Sequence, residues 1–163
     1  MHIQLLFYLC RMKIKKEIIP NLENIDPQSC INSKLRRLSR MITHIYEREL
    51  QQFDLRSSQI SILLMVGKKK STNQKEIADF LFIDQSTMSR DLTKLTEKKL
   101  IQISKGVDAR HSQLELTDKG LKLLGELIPV WKQVHDKVER TLGSFSLKNI
   151  DLITEGLKQH TKR

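Results

Sequence analysis

The segment from Asn73 to Gly120 constrains the fold of this chain more than any other part of the sequence. Asn73 and Glu76 have the spacing of a helix capping box, and Asp84 is a second N-cap residue a short distance later. Two helix starts this close together predict short helices over residues 74–80 and 85–98, joined by a sharp turn. The apolar side chains predicted to form the small core of this unit are Ile77, Phe80, Leu81, Met88, Leu92 and Leu95.

A hairpin is predicted immediately after this helix–turn–helix. Residues 101–104 and 112–117 alternate apolar and polar side chains, which is typical of strands with one buried face. The intervening residues are short, glycine-containing and basic, so we expect a tight tip that carries positive charge. The side chains predicted to lie on the buried face are Ile101, Ile103, Leu114 and Leu116.

Long apolar stripes flank this unit on both sides. The first helical stripe consists of Ile31, Leu35, Leu38, Ile42 and Ile45, at steps of three and four. Ser57 or Ser58 is predicted to cap the next helix, and Gly67 to end it. A long helix is predicted after Thr117, with a kink or a local break at Pro129, and a last helix follows Gly143. These helices could close a larger monomer, but stripes contributed by both chain ends are equally what a helical dimer interface needs, and we favour the dimer because its two-fold symmetry would supply a second DNA half-site.

The predicted fold is mainly α with a small β-hairpin wing, a winged helix–turn–helix between long terminal helices. We expect a partly ordered arm over residues 1–27 and an N-terminal dimerisation helix over 28–56. The winged helix–turn–helix is predicted over 57–118, and the C-terminal dimerisation helices over 119–163. The segment that starts at Met12 resembles a natural beginning, which would make residues 1–11 an upstream extension.

The composition narrows the class of function. Lys and Arg number 29 against 19 Asp and Glu, for a net charge of +10, which favours a polyanionic partner such as nucleic acid. No apolar run reaches the roughly 18 residues of a membrane span, so we expect a cytoplasmic protein without a membrane partner. The sequence lacks a phosphate-binding glycine loop, a zinc-protease helix and a nucleophile elbow, which argues against an enzyme. Its histidines lack metal-site spacing, and we expect neither metal nor cofactor.

Two fragments at a characteristic separation resemble the wing of the MarR (multiple antibiotic resistance regulator) family. They are Asp108-Ala-Arg110 and Leu116-Thr-Asp-Lys-Gly120, and Ser86-Thr-Met-Ser-Arg90 resembles the family's recognition helix. The resemblance extends over roughly residues 29–160. Lys99 and Phe82 depart from it, because the family commonly has glycine at these positions.

The resemblance implies that the recognition helix enters the major groove of duplex DNA and that the wing reaches the adjacent minor groove. Its candidate contacts are Gln85, Ser86, Thr87, Ser89, Arg90 and Lys94 on the helix, and Lys105, Arg110 and His111 on the wing, with Asp108 orienting the wing arginine. Lys68, Lys69 and Lys70 are candidates for flanking phosphates. Two other roles stay open: Thr87 and Ser89 could be ordinary solvated surface, and Arg90 could form an ion pair with Asp91 or Asp108.

The family further implies a homodimer on a palindromic operator in double-stranded DNA. It implies a transcriptional regulator, most simply a repressor, released by a small lipophilic or phenolic effector. Two alternatives remain at this point. Cys30, near the start of the first helix, could serve as a peroxide- or thiol-sensing residue. The winged helix could instead serve only for protein–protein contact.

Overall fold

The computed structural model describes residue 19 and residues 21–69, 72–105 and 112–161. Their secondary structure confirms the predicted winged helix–turn–helix with long terminal helices. The elements in chain order are a 3₁₀ turn at Leu22–Asn24, α1 (Ile31–Leu50), a 3₁₀ turn at Gln51–Phe53, α2 (Ser57–Lys68), α3 (Gln74–Leu81), α4 (Gln85–Glu97), β1 (Ile101–Lys105), β2 (Ser112–Leu116), α5 (Asp118–Leu142) and α6 (Ser144–Thr161).

By its internal contacts the chain divides into two units, residues 1–41 and residues 42–163. The described part of the first unit contains the Leu22–Asn24 turn and the first half of α1. A side-chain oxygen of Asp26 accepts a hydrogen bond from the backbone N–H of Gln28 at 2.9 Å, which stabilises the bend before the helix. The apolar stripe of this half-helix is exposed: Ile31, Leu35, Leu38 and Met41.

Helix α2 lies at the centre of the second unit. Its Ile62 and Leu63 are completely buried, and the helix packs against β2, α4 and α5. β1 and β2 pair antiparallel, with Ile101 opposite Leu116. Of the predicted small core, Ile77, Met88, Leu92 and Leu95 are buried as expected. Within the described residues, no helix has the length and apolar character that crossing a membrane requires.

The predicted caps of the helix–turn–helix are confirmed. Asn73 Oδ1 accepts from the backbone N–H of Glu76 at 2.9 Å, and Asp84 Oδ1 accepts from that of Thr87 at 2.8 Å. The two positions where the resembled family has glycine both adopt left-handed backbone, with φ of 52° at Phe82 and 57° at Lys99. The turn geometry is therefore kept, although this backbone conformation is unfavourable for non-glycine residues.

Two predicted core positions are wrong. Phe80 is 64% exposed and Ile103 is 54% exposed, although Ile101 on the same strand is buried. Periodicity identifies the apolar face of an element, but that face is buried only where another element covers it. The rest of the hairpin follows the prediction, with Leu114 buried and Leu116 half-buried.

The predicted N-terminal and C-terminal ends of α2 are also wrong. Ser57 and Ser58 lie inside the helix, because its N-cap is Arg56, whose backbone N–H donates to Gln59 Oε1 at 3.1 Å. Gly67 does not end the helix, which continues to Lys68. A Cβ at Gly67 would lie 2.8 Å from Leu124 Cδ1, so glycine there permits close approach of α5.

Pro129 does not divide α5, which runs as one helix from Asp118 to Leu142. A proline lacks the N–H that would complete the ladder, so one intrahelical hydrogen bond is absent at this position. The predicted local break in the hydrogen-bond ladder therefore leaves the helix continuous. The neighbouring α6 packs against α5.

Candidate nucleic-acid interface and a cavity

Helix α4 has one buried face and one exposed polar face. Met88, Asp91, Leu92 and Leu95 turn inwards, and they fix the rotation of the helix about its axis. The sequence-predicted contacts lie on the other face, where Gln85, Ser86, Ser89, Arg90 and Lys94 are exposed and Thr87 is half-buried. The structure thus brings together all six candidates of the recognition helix.

Asp84 organises the first turn of α4. Its Oδ1 accepts from Ser86 Oγ at 2.5 Å, and its Oδ2 accepts from Thr87 Oγ1 at 2.8 Å. The hydrogen bonds from Ser86 and Thr87 hold the pKa of the Asp84 carboxyl well below its ordinary value. Because both hydroxyl hydrogens point to Asp84, the Ser86 and Thr87 oxygens are left with lone pairs as acceptors, one of which on Thr87 is taken by Arg90. In this arrangement they can accept hydrogen bonds from base amino groups, whereas a phosphate offers them no donor.

Arg90 extends along the exposed face of α4 towards the helix start. Its Nε donates to the Ser86 carbonyl oxygen at 3.2 Å, and a terminal guanidinium nitrogen donates to Thr87 Oγ1 at 3.3 Å. The proposed ion pair with Asp91 is wrong, since Asp91 is buried and its Oδ1 accepts from Gln59 Nε2 at 3.3 Å. The guanidinium therefore stays beside Ser86 and Thr87, with its remaining donors exposed.

Gln74 is a residue of this surface that sequence reasoning missed. Its Nε2 donates to Gln85 Oε1 at 3.2 Å, which links the start of α3 to the start of α4. One lone pair of the Gln85 carboxamide oxygen is thereby engaged, and its second lone pair and the NH₂ group of this exposed side chain remain available for pairing. The sequence could have indicated this role, because Gln74 directly follows the N-cap Asn73 and is the first residue of its helix.

The basic candidates outside α4 divide into two groups. Lys68 and Lys69 are exposed at the end of α2, and Lys69 Nζ lies 3.4 Å from Glu76 Oε2, so part of its charge is offset. The remaining candidates lie outside the described residues: Lys70, Asp108, Arg110, His111 and the side chain of Lys105.

Cys30 is exposed and directly precedes α1. Its carbonyl oxygen accepts from the backbone N–H of Lys34 at 3.0 Å, which places it at the N-cap. Hydrogen bonds from the backbone and the side chain of Ser33 lower the pKa of the thiol. Among the described residues, no three His, Cys, Asp or Glu side chains converge as a metal site would require.

A cavity of about 270 Å³ opens within the second unit. The Trp131 ring stacks on His135, with ring centres 4.9 Å apart, and lies 6.4 Å from the ring of Tyr46. The Tyr46 hydroxyl lies 3.2 Å from His135 Nδ1, and burial raises the pKa of Tyr46. The residues that line the cavity are Ile42, Thr43, Tyr46, Leu50, Ser57, Ile60, Ser61 and Trp131.

Comparison with known proteins identifies the fold and the class of protein that this chain resembles. The model of the MarR family matches residues 53–111. The chain is 29% identical to the HTH-type transcriptional regulator SarZ of Staphylococcus saprophyticus over 102 residues, 62% of this chain and 70% of SarZ. It is 25% identical to the regulator TcaR of Staphylococcus aureus over 119 residues, 71% of this chain and 78% of TcaR.

Solved structures agree with these matches. The transcriptional regulator MosR of M. tuberculosis, in complex with DNA, superposes with a TM-score of 0.69 at 26% identity, covering 81% of this chain and 97% of MosR. PcaV of Streptomyces coelicolor, in complex with its natural ligand, gives a TM-score of 0.72 at 17% identity, covering 85% of this chain and 98% of PcaV, which shows the fold alone. These relatives are transcriptional regulators, which confirms the prediction against an enzyme.

Proposed function

Because this chain belongs to the MarR family of DNA-binding transcriptional regulators, we propose that it acts as a homodimeric repressor on a palindromic operator. In this proposal a small molecule releases it from DNA. The observation that carries the proposal is the exposed polar face of α4, whose opposite face is buried through Met88, Leu92 and Leu95.

The side chains of this face match the donor and acceptor pattern of the major groove. Arg90 can donate two hydrogen bonds to a guanine, and the Gln85 carboxamide can pair with an adenine. The acceptor oxygens of Ser86 and Thr87 suit the amino groups of cytosine or adenine. Ser89 and Lys94, further along the same face, suit the neighbouring phosphate strand. No acidic or large apolar side chain interrupts these described positions, and that favours DNA over a protein partner.

The wing supplies the second proposed contact, by its resemblance to the family. Arg110 would enter the narrow minor groove, and Asp108 would orient it. Lys105 and His111 would bind the backbone nearby. Flanking phosphates would be neutralised by Lys68, Lys69 and Lys70. Each phosphate neutralised makes the slope of log K against log salt concentration steeper by roughly one unit.

Dimerisation is proposed from the apolar side chains that the single chain leaves uncovered. In α6 these are Phe145, Ile150, Leu152 and Ile153, and in the first half of α1 they are Ile31, Leu35, Leu38 and Met41. Two-fold pairing through such helices would also present two copies of α4 to two half-sites of a palindrome.

Release by an effector is proposed from the cavity beside Tyr46 and Trp131. PcaV was solved with its natural ligand, and the structure of BpsR from Bordetella bronchiseptica is described as a mechanism for regulation of its DNA binding by 6-hydroxynicotinic acid. For this chain we propose a lipophilic or phenolic effector, which would fit the aromatic-walled cavity. Thiol sensing is the second candidate, favoured by the exposure and the lowered pKa of Cys30.

The deciding experiment selects bound duplexes from a random pool, with and without peroxide. We expect a palindrome to be enriched, and Arg90→Ala and Arg110→Ala each to weaken its binding by roughly 1–3 kcal/mol, about 5- to 150-fold. The circular dichroism of both variants should match that of the wild type. Arg140→Ala, which removes an exposed arginine from the last turn of α5, is the control and should bind normally.

Three outcomes would revise the proposal. A pool without enrichment would indicate a protein-contact module instead. Unchanged affinity in the folded Arg90→Ala and Arg110→Ala variants would overturn the assigned contacts. Loss of enrichment with peroxide in the wild type, but not in Cys30→Ser, would replace the small-molecule effector with thiol sensing.

A further inference from the structure

Gln74 and Gln85 form a direct side-chain pair across the helix–turn–helix. Gln74 is the first residue of α3, and Gln85 is the first residue of α4. Gln74 Nε2 donates a hydrogen bond to Gln85 Oε1 at 3.2 Å. Gln85 is exposed at the start of the polar face of α4, whereas Gln74 is half-buried beside it. A side chain that is proposed to read a base is therefore in contact with a less exposed neighbour from another helix.

The backbone segments that carry these two side chains are both held in place. The start of α3 is tied to the hairpin, because the backbone N–H of Leu114 donates to the Thr72 carbonyl oxygen at 2.9 Å. Asn73 and Gln113 form an isolated antiparallel β-bridge at the same place. The start of α4 is held by its N-cap residue, Asp84. The freedom that remains to the pair is therefore mainly rotation within the two side chains.

A carboxamide reads a base only when its oxygen and its nitrogen occupy defined positions. The terminal torsion of glutamine is broad and roughly two-fold, so a free side chain readily exchanges the two atoms. Adenine offers the N6 amino group as a donor and N7 as an acceptor, so it requires the carboxamide oxygen at N6 and the NH₂ group at N7. The donor from Gln74 engages one lone pair of the Gln85 oxygen and leaves its other lone pair and the NH₂ group for this bidentate contact.

The exposure of the pair separates this role from a structural one. Gln85 is exposed and Gln74 is half-buried, so water can replace their hydrogen bond in the free protein. Loss of the bond is therefore expected to affect folding little. Its effect is expected in the complex with DNA, where the orientation of the Gln85 carboxamide decides which base it matches.

We propose that Gln74 is a positioning residue for base recognition, which holds the Gln85 carboxamide in the orientation that pairs with adenine. The proposal rests on the sequence-specific DNA binding proposed above, and it adds a residue outside the recognition helix to the determinants of specificity. A side chain at position 74 that only accepts hydrogen bonds would turn the Gln85 NH₂ group towards itself. The reversed carboxamide would meet the adenine amino group with a donor, and would instead suit O4 of thymine or O6 of guanine.

The test measures base preference at a single position of the selected operator. Duplexes are selected with the wild type and with Gln85→Ala, and the base pair whose preference is lost in Gln85→Ala is the one that Gln85 reads. We expect adenine there, preferred about 5- to 150-fold over the other bases. Gln74→Met keeps the length of the side chain and removes the donor, and is expected to reduce that preference about two- to tenfold. Its circular dichroism and its preferences at the other positions should match those of the wild type.

Gln74→Glu tests the direction of the hydrogen bond. Its carboxylate only accepts, so the preference at this position is expected to shift from adenine towards thymine or guanine. The substitution also adds a negative charge near DNA, and the matched control is Lys75→Gln, which changes the charge equally at the next, exposed position. Lys75→Gln should weaken binding to all duplexes alike and keep the preference for adenine.

A double variant separates positioning through Gln85 from an independent contact with DNA. In a Gln85→Ala background, Gln74→Met should leave the remaining base preferences unchanged. A further change of base preference in that background would overturn the positioning role, as would an undiminished preference for adenine in Gln74→Met.

Three further results bear on the inference and on the function it rests on. Thymine or guanine at this position in the wild type would overturn the assigned orientation. A Gln85→Ala variant that keeps every preference of the wild type would overturn the inference and leave the proposed DNA-binding function intact, provided that a palindrome is still selected. A pool without enrichment would refute both.

Discussion

Gly120 shows at the residue scale why a short motif can identify a wing. The Thr117 side chain accepts from the backbone N–H of Gly120 at 3.0 Å, capping α5, and its hydroxyl donates to the Lys99 carbonyl at 2.6 Å. A Cβ at Gly120 would lie 2.1 Å from the Leu100 carbonyl oxygen, a distance that no side chain can occupy. The threonine and the glycine three positions later are thus both required where the start of α5 meets the turn at Lys99 and Leu100, between the recognition helix and β1.

The prediction that follows concerns the two glycines at the start of α5. Gly120→Ala should lower the free energy of unfolding by roughly 1–3 kcal/mol or more, because the backbone of residue 100 must move to admit the methyl group. Gly125→Ala is the matched control, since a Cβ there meets nothing within 4 Å, and it should stabilise the helix by up to about 1 kcal/mol. Urea denaturation of both variants measures the difference; equal stabilities would contradict the close contact between α5 and the backbone of residue 100.

At the scale of the element, the features that could be predicted from the sequence are those set by residues within one helical turn of each other. The caps at Asn73 and Asp84 were predictable because the acceptor and its N–H lie within one turn. The exposure of Phe80 and Ile103 was not predictable, because residues distant in sequence decide whether an apolar face is covered. The role of Gly67 was missed for the same reason, since its neighbour Leu124 lies on another helix.

The Gln59–Asp91 pair also joins elements that are far apart in sequence. Gln59 on α2 is 3% exposed and Asp91 on the recognition helix is 6% exposed, with Gln59 Nε2 donating to Asp91 Oδ1. The same carboxamide accepts from the backbone N–H of Arg56 at the start of α2. One buried side chain therefore ties the helix that lines the cavity to the helix that carries the proposed base contacts.

We expect Gln59→Met, which keeps the volume and removes both hydrogen bonds, to lower the free energy of unfolding by roughly 1–3 kcal/mol. Adding Asp91→Leu to Gln59→Met should recover part of this loss, because the buried acceptor is then also removed. Chemical denaturation of the two single variants and the double variant gives the coupling energy. Strictly additive losses would show that the pair contributes nothing as a pair.

At the scale of the whole molecule, the uncovered apolar surface is concentrated on the terminal elements. The core of the winged helix closes around α2, whereas Phe145 and Leu152 on α6 are 79% and 70% exposed in the single chain. Burying apolar area is the main favourable term in association, and an exposed stripe of this kind marks an interface. A net charge of +10 would oppose association through repulsion, so the apolar contact has to overcome it.

Phe145 and Leu152 lie seven residues apart in α6, on one side of that helix. If the proposed dimer uses this face, the double variant Phe145→Glu/Leu152→Glu should sediment as a monomer under conditions where the wild type is a dimer, because two carboxylates would have to be buried. Its affinity for a full palindrome should fall to about that for a half-site. Lys148→Glu, an exposed position of the same helix that adds negative charge without removing apolar area, should stay dimeric. A double variant that remains a dimer would place the two-fold contact elsewhere, and a wild type that sediments as a monomer would refute the proposed dimer.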